Sequence, residues 1–386
     1  MSATSPTERP RRLLALFPQL LGHGGVQQAG RQMAMALDEL SVRHGFGAEF
    51  LSLNDSPAGH SFAPGAREIR MRAFGRSKFA FVAAALRAGR SLRGGGPRAV
   101  LAFHPNLGPP ASWVASLSSG AKLAIVSHGV DAWHPLTRSR RRALLGADLA
   151  LAPSEFTCEQ LHIVQGVSRE RIRRLPWALP PEFISNISAA KTVAPPAVSP
   201  GGRTILAVAR WAASEGYKGA DELIRAVAQI RQAIPELQLE LAGDGDDLPR
   251  LRELAKSCGA AGNVHFMGEL SNEELAECYS RAEIFALPSS GEGFGFVFLE
   301  AMALGKPVVA AAAGGATDVV RHDVNGLLVP PGDLPQLVSA LERMLGDEKL
   351  RQRLGKRGQE MAFADFSFSK FTGRVEDLLR ELGLIA

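Results

Sequence analysis

Short apolar runs alternate with helical patterns twice along this chain, and no other feature of the sequence restricts its fold so strongly. Residues 13–17 (LLALF) are apolar throughout and end at Pro18, as a buried strand does. The glycine cluster Gly22-His23-Gly24-Gly25 follows, then a helical pattern to Leu40 with Val26, Met33 and Leu37 on one face. Residues 99–103, 123–127 and 149–152 repeat the strand pattern, the last ending at Pro153-Ser154 before another helix. Strands that alternate with helices imply a parallel sheet covered on both faces. From 185 to 202 the composition turns to Pro, Ser, Ala and Gly, the character of a linker. The second series has strands at 204–209, 237–242, 264–267, 284–287 and 308–311. Helices are expected near 219–234, 248–258, 272–281 and 298–304, and two more at 334–345 and 371–382 close the chain. The expected fold is therefore α/β, with two doubly wound domains facing across a cleft. The expected divisions are a disordered tail at 1–10, a first domain at 11–187, a linker at 188–202 and a second domain at 203–364. A terminal helix at 365–386 is expected to pack back on the first domain. Ligands of open α/β sheets bind beyond the carboxyl ends of the strands.

A length of 386 residues suits two or three domains. With 46% hydrophobic and 22% charged residues, the chain is neither disordered nor a small disulfide scaffold. Cys158, Cys258 and Cys278 form no CxxC pair, which fits a reducing compartment. The start, MSATSPTERPRRLLALFPQL, lacks the layout of a signal peptide, and no run approaches the ~18–20 apolar residues that span a bilayer. A cytoplasmic protein is expected. The net charge of +5 conceals a division. Residues 1–200 carry 24 basic and 12 acidic side chains, or +12, and the remainder carry 20 and 27, or −7. Nucleic acid is not an expected partner, because no recognition motif accompanies the basic half.

Several cofactor motifs fail. A GxGxxG beginning at Gly22 needs glycine where Gln27 stands, and Gly305-Lys306 is followed by Pro307 rather than the Ser or Thr of a P-loop. HExxH and GxSxG are absent, and the nine histidines do not cluster at metal-ligand spacing. The informative segment runs from Ser289 to Val309, SSGEGFGFVFLEAMALGKPVV. Glu292 and Glu300 stand eight apart, with the turn Gly293-Phe294-Gly295 between them and a strong helix former from Phe298. A loop feeding a helix N-terminus offers backbone N–H groups to an anion. Carboxylates on either side accept hydrogen bonds from hydroxyls. A phosphate flanked by polyols, as in a nucleotide-sugar, meets both demands. An isolated E-x7-E pair is ordinarily two solvated surface residues; the glycine turn, the helix start and the following strand argue against that here.

This segment resembles the E-x7-E signature of the retaining glycosyltransferases of family 4, which have two Rossmann-like domains facing across a cleft (GT-B). The similarity extends through Gly314-Gly315, Asp318 and the run Asn325 to Asp333, and upstream through Ala209-Arg210, Tyr217-Lys218-Gly219 and the run Leu241 to Gly245. In the first half it is thinner: Gly24-Gly25-Val26, His128-Gly129-Val130-Asp131 and Pro153-Ser154. The resemblance implies that Glu292 binds sugar hydroxyls of the donor, with Gly293 and the backbone N–H groups of Phe294 and Gly295. It implies that Glu300 binds the ribose and that Arg210 and Lys218 hold the diphosphate. Fixed cations stabilise the charge that builds as the diphosphate departs. Gly24 and Gly25 approach the diphosphate and the acceptor, His128 contacts the donor sugar, and Asn106 and Asp131 are further candidate contacts. His104 lies on the same loop as Asn106. Asp131 has an alternative role, capping the next turn. The chain departs from the family pattern at Asp318, in the enlarged loop Ser214-Glu215-Gly216, and over 175–180, which lacks the usual Asn-Gly turn.

The resemblance implies transfer of a hexose-like sugar from a GDP- or UDP-hexose to a glycan or lipid-linked acceptor, in cell-surface polysaccharide or glycolipid synthesis. The first domain is the expected acceptor domain. Neither a cofactor nor a metal is expected. Two rival readings stay open: a sugar-nucleotide epimerase on the same scaffold, and an inactive sugar-nucleotide-binding subunit. A phosphorylase needs a pyridoxal-phosphate lysine, for which no motif is seen. Nine basic residues lie between Arg67 and Arg98 against the single acid Glu68, and residues 74–93 alternate apolar and basic at helical spacing. Such a stretch suits contact with an anionic membrane. A solvated basic face is the plainer reading.

Overall fold

A computed structural model describes residues 11–22, 24–58, 61–62, 68–91, 98–118, 120–190 and 203–386. The tail expected at 1–10, most of the expected linker, and His23, Arg67 and Arg93 lie outside the described residues. The chain divides into two compact units, one of Met1–Ala178 with Phe368–Ala386 and one of Leu179–Ser367. That division falls ahead of the stretch expected as a linker. The cause is a helix at Pro181–Ala190 that packs within the second unit.

The first unit contains strands β1 (Arg12–Phe17), β2 (Gly47–Ser52), β3 (Ser61–Phe62), β4 (Ile69–Arg70) and β5 (Arg72–Ala73). Strands β6 (Arg98–Ala102), β7 (Lys122–Val126), β8 (Leu149–Ala152) and β9 (Ile172–Arg174) complete it. Its helices are α1 (Gly25–His44), α2 (Lys78–Ser91), α3 (Gly108–Leu117), α4 (Val130–Trp133), α5 (Arg138–Leu145) and α6 (Glu155–Ile163). Seven strands form one parallel sheet in the order β5-β2-β1-β6-β7-β8-β9. Leu13 to Phe17 are all buried, as a strand covered on both faces must be. The order reverses between β1 and β6, so a crevice opens there at the carboxyl ends.

Helix α2 covers most of the stretch in which apolar and basic residues alternate. Phe81, Ala84, Ala85 and Ala88 turn into the core against α3 and the sheet, so the helix spends its apolar face on the protein itself. Phe79 alone among its large apolar side chains stands in solvent, at 87% exposure.

The second unit begins with α7 (Pro181–Ala190) and continues with β10 (Thr204–Val208), α8 (Ala220–Ile230), β11 (Gln238–Ala242), α9 (Leu248–Ser257) and β12 (Val264–Gly268). Then come α10 (Asn272–Arg281), β13 (Ile284–Leu287), α11 (Phe296–Ala303), β14 (Val308–Ala311), α12 (Ala316–Val319) and β15 (Gly326–Val329). Helices α13 (Leu334–Gly346) and α14 (Glu348–Asp365) end it, and α15 (Phe368–Glu381) belongs to the first unit. The sheet is parallel, in the order β12-β11-β10-β13-β14-β15. Helix α8 shows why the sequence reads so clearly here. Leu223, Ile224, Val227 and Ile230 recur at helical spacing and are buried, while Asp221 and Glu222 occupy the first turn, where the helix dipole favours them. The order reverses between β10 and β13, which places a second crevice at the ends of those two strands.

Candidate functional site

In the second unit three neighbouring strands deliver three turns to that crevice. The turn after β10 carries Arg210 and Lys218, the turn after β13 carries Glu292 to Gly295, and the turn after β14 carries Gly314-Gly315. The turns are tied together by backbone bonds. The Ser290 N–H donates to the Tyr217 carbonyl at 2.9 Å, and the Gly315 N–H donates to the Glu292 carbonyl at 2.6 Å. A Cβ at Gly315 would collide with the Gly293 carbonyl, so this approach requires glycine.

The two carboxylates of the E-x7-E spacing are buried, Glu292 at 9% exposure and Glu300 at 7%. Burial at that level overturns the reading of a solvated surface pair and demands partners. Lys218 forms an ion pair with Glu292, bridging the turns after β10 and β13. Burial opposes the charge on the Lys218 ammonium, but the Glu292 carboxylate outweighs it and raises the lysine above its ordinary range. Glu300 accepts a hydrogen bond from the Tyr279 hydroxyl at 3.0 Å. Arg210 is 71% exposed and pairs with Glu215, in the enlarged loop between the two cations. That bond raises the guanidinium further.

Gly295 caps α11 at φ 97°, a left-handed conformation suited to glycine, and no side chain caps this helix. Gly219 likewise begins α8 without a side-chain cap. Helices α10, α13 and α14 are capped by Ser271, Asp333 and Asp347. The first-turn N–H groups of α8 and α11 thus lack the side-chain acceptor that those helices possess, the condition that suits an anionic ligand. Phe294 is buried against Phe296 and Phe366 and holds the turn from behind. Asp318 sits in the short helix α12.

The first unit builds a separate cluster at the ends of β6 and β7. The His128 ring lies 2.9 Å through Nε2 from the Phe103 carbonyl. A carbonyl only accepts, so Nε2 carries the proton and Nδ1 keeps its lone pair. Nδ1 is buried and has no hydrogen-bond partner. Burial holds this imidazole neutral, with a pKa lowered to about 4. Trp177 lies along one side of the ring, 5.7 Å away, and His104 lies 5.9 Å away. Asp131 lies in the first turn of α4, whose N-cap is Gly129. Its carboxylate accepts from the His128 N–H at 2.9 Å and the Gly129 N–H at 2.7 Å, and it stands 3.7 Å from His104 Nε2. Burial raises its carboxyl pKa, and His104 partly offsets that rise. Asn106 is exposed, and its backbone N–H donates to His104 Nδ1 at 3.1 Å. Gly24 caps α1, again without a side-chain cap, and Gly25 begins that helix. The preceding turn is clamped from both sides. Asp55 accepts the N–H groups of Leu20 at 2.7 Å and Leu21 at 3.1 Å, and Arg31 donates to the carbonyls of Leu20 and Gly22.

Sequence reasoning missed Tyr279, Glu215, Trp177 and Asp55. Tyr279 gave no signal in the sequence, whereas Trp177 lay in the stretch 175–180 already marked as departing from the family pattern. Glu215 lay in the loop already marked as departing from the family pattern. Among the described residues, no group of three or more His, Cys, Asp or Glu is placed to hold a metal ion.

The family model of glycosyl transferases group 1 matches residues 195–361. The chain is 35% identical over 170 residues to a GDP-mannose-dependent alpha-(1-6)-phosphatidylinositol monomannoside mannosyltransferase of Mycobacterium tuberculosis, covering 42% of this chain and 44% of that protein. It is 40% identical over 162 residues to a D-inositol 3-phosphate glycosyltransferase of Salinispora arenicola, covering 40% and 36%. The chain thus spans less than half the length of these curated relatives. Anabaena HepE, solved in complex with UDP, superposes with a TM-score of 0.75 at 20% identity, covering 96% of this chain and all of that one, a likeness of fold. Residues 195–361, which hold Arg210, the Lys218–Glu292 pair and Glu300, are thus the part of the chain that matches the group 1 glycosyl transferases, and the chain as a whole has the GT-B fold.

Proposed function

We propose that this protein is a glycosyltransferase that moves a hexose-like sugar from a GDP- or UDP-hexose to a hydroxyl of a glycan or lipid-linked acceptor, with the anomeric configuration kept. The observation that carries the reading is the Lys218–Glu292 pair at the strand-order reversal of the second unit, beside the uncapped glycine start of α11. Lys218 and Arg210 receive the diphosphate, Arg210 as a two-pronged donor and Lys218 as a point charge. Glu292, Gly293, Phe294 and Gly295 receive the sugar, and Glu300 receives the ribose. On the first unit, His128 Nδ1 accepts a hydrogen bond from a sugar hydroxyl, since its lone pair is unpartnered. Gly24 and Gly25 approach the diphosphate and the acceptor, and Asn106 and Asp131 contact the acceptor or the sugar.

In the reaction the bond from the anomeric carbon to the phosphate oxygen breaks. The bond to the acceptor oxygen forms on the same face, and the leaving phosphate takes the acceptor's proton. The charge that builds on the phosphate is met by fixed cations and helix N–H groups. No metal is required on this reading, so transfer keeps its full rate in excess chelator; complete loss of rate there overturns that part. Glu292→Ala and Lys218→Ala each abolish transfer, measured with UDP- and GDP-hexoses, while the circular dichroism spectrum stays that of the parent. Near-normal turnover in either variant refutes the assignment. Altered sugar formed from donor alone, without acceptor, marks an epimerase, and donor binding without turnover marks a binding subunit.

The relatives named for phosphatidylinositol mannoside and inositol phosphate glycosylation support a role in glycolipid or polysaccharide synthesis. Contact with an anionic membrane is part of the proposal. Lys78, Phe79, Arg87 and Arg90 of α2, Trp113 of α3 and Arg138 and Arg142 of α5 are exposed, and α3 packs against both α2 and α5. Among the described residues no helix is long and apolar enough to cross a membrane. Co-sedimentation with vesicles that contain anionic lipid, and not with neutral ones, is expected. Indifference to lipid charge ends this part.

A further inference from the structure

Glu300 is a buried carboxylate on α11, and buried carboxylates are held by donors whose geometry is fixed. One such donor is Tyr279 of α10. Its hydroxyl lies 3.0 Å from Glu300 Oε2 and 3.3 Å from the Val297 carbonyl. Tyr279 has 0% exposure, and its ring is gripped edge-on by Phe183 at 5.8 Å and tilted against Phe285 at 5.6 Å. Those ring contacts would serve a phenylalanine equally well. What the hydroxyl adds is one proton to donate, closer to Glu300 Oε2 than to the Val297 carbonyl. Burial, reinforced by the Glu300 carboxylate, pushes the phenol well above its ordinary pKa, so it stays protonated and donates.

We propose that Tyr279 is a positioning residue for donor binding: its hydroxyl fixes the Glu300 carboxylate in the orientation that accepts the ribose hydroxyls. The inference rests on the reading of Glu300 given under the proposed function. Without the hydroxyl the carboxylate loses a fixed neighbour in a site that gives it little water. Its orientation then becomes one of several, and the ordering cost falls on the ligand. The loss is confined to ligands that carry ribose hydroxyls.

The test uses the full chain and Tyr279→Phe. Dissociation constants are measured for UDP and GDP, and the tighter of the two is compared with its 2′,3′-dideoxy form. The variant is expected to bind the ribose form about five- to tenfold more weakly, the worth of one hydrogen bond. It should bind the dideoxy form within about twofold of the parent on the same scale. In transfer assays, KM for the donor rises while kcat changes little. A merely structural tyrosine weakens both ligands alike, and that result overturns the proposal. Glu300→Ala separates the two levels of inference. If it leaves the ribose preference intact, the reading of Glu300 itself fails. If it abolishes the preference while Tyr279→Phe retains it, only the inference about Tyr279 fails.

Discussion

At the scale of single residues, the proposed donor side of the second unit is a set of charges already paired. Lys218 is engaged with Glu292 and Arg210 with Glu215. The two pairs differ in burial and therefore in consequence. Lys218 and Glu292 are both largely withdrawn from solvent, so removing one strands the other. The guanidinium of Arg210 lies in water, where such a pair contributes under about 1 kcal/mol. A diphosphate can displace Glu215 at small cost, and without Glu215 that cost disappears. Glu215→Gln is therefore expected to tighten binding of UDP or GDP by up to about fivefold, the equivalent of 1 kcal/mol. Titration calorimetry checks it, and a weaker constant shows that Glu215 holds the loop in its binding shape instead. The motif residues Arg210, Lys218, Glu292 and Glu300 were legible because their spacing is fixed by strand-to-helix turns. Their partners were not, because Glu215 and Tyr279 reach them through space, and sequence separation carries no record of that.

At the scale of elements, the turns do the positioning, and they differ in how they were announced. The glycine turn before α11 and the strands on either side of it are plain in the sequence, since apolar runs and glycines mark both ends. Strands β2, β9 and β15 escaped notice because they are short or carry polar residues, as in Gly47–Ser52 and Ile172–Arg174. Helix α14 was also hidden: its sequence is mostly polar, and it buries only Leu350, Leu354, Met361 and small residues. The turns after β6 and β7 carry a pH consequence. Burial lowers both His104 and His128 to about 4, whereas an unfolded histidine titrates near 6.5. Between those values the unfolded chain binds more protons than the folded one. The stability from neutral histidines is thus complete above pH 6.5 and drains away as the pH falls toward 4. Each ring contributes a slope of up to about 1.4 kcal/mol per pH unit. Asp131, raised by burial, takes up its proton earlier in the folded chain and opposes the loss at the acid end. Urea unfolding at a series of pH values is expected to show this slope for the first unit, and His128→Gln to reduce it by about one ring's share. An unchanged slope in the variant means that His128 is not held neutral.

At the scale of the whole molecule, the two α/β series were readable because each repeats one simple pattern. The ownership of the last helix is a different kind of fact. Helix α15 follows directly on the second unit in sequence but is part of the first. It buries Phe371, Val375, Leu378 and Leu379 and packs along α1. Phe371 sits 5.7 Å from Trp177, the same tryptophan that lies along the His128 ring. At the rim, Glu376 meets Arg43 at 3.1 Å and His44 at 3.1 Å, and Arg173 pairs with Glu381. Removing one buried aromatic costs about 3–5 kcal/mol, and a domain's whole stability is about 5–15 kcal/mol. Losing the helix removes several such side chains together, so the first unit should not survive the loss in stable form. The second unit, Leu179–Ser367, contributes none of those contacts and should be indifferent to it. A chain ended after Ser367 is therefore expected to lose hydrogen-exchange protection in β1, β6 and β7. It should still show a melting transition that UDP or GDP raises, because a ligand that binds only the folded form stabilises it. Protection kept in β1 and β6 would mean that α1 finds another cover. Loss of the ligand-dependent transition would mean that the donor site needs the first unit to form.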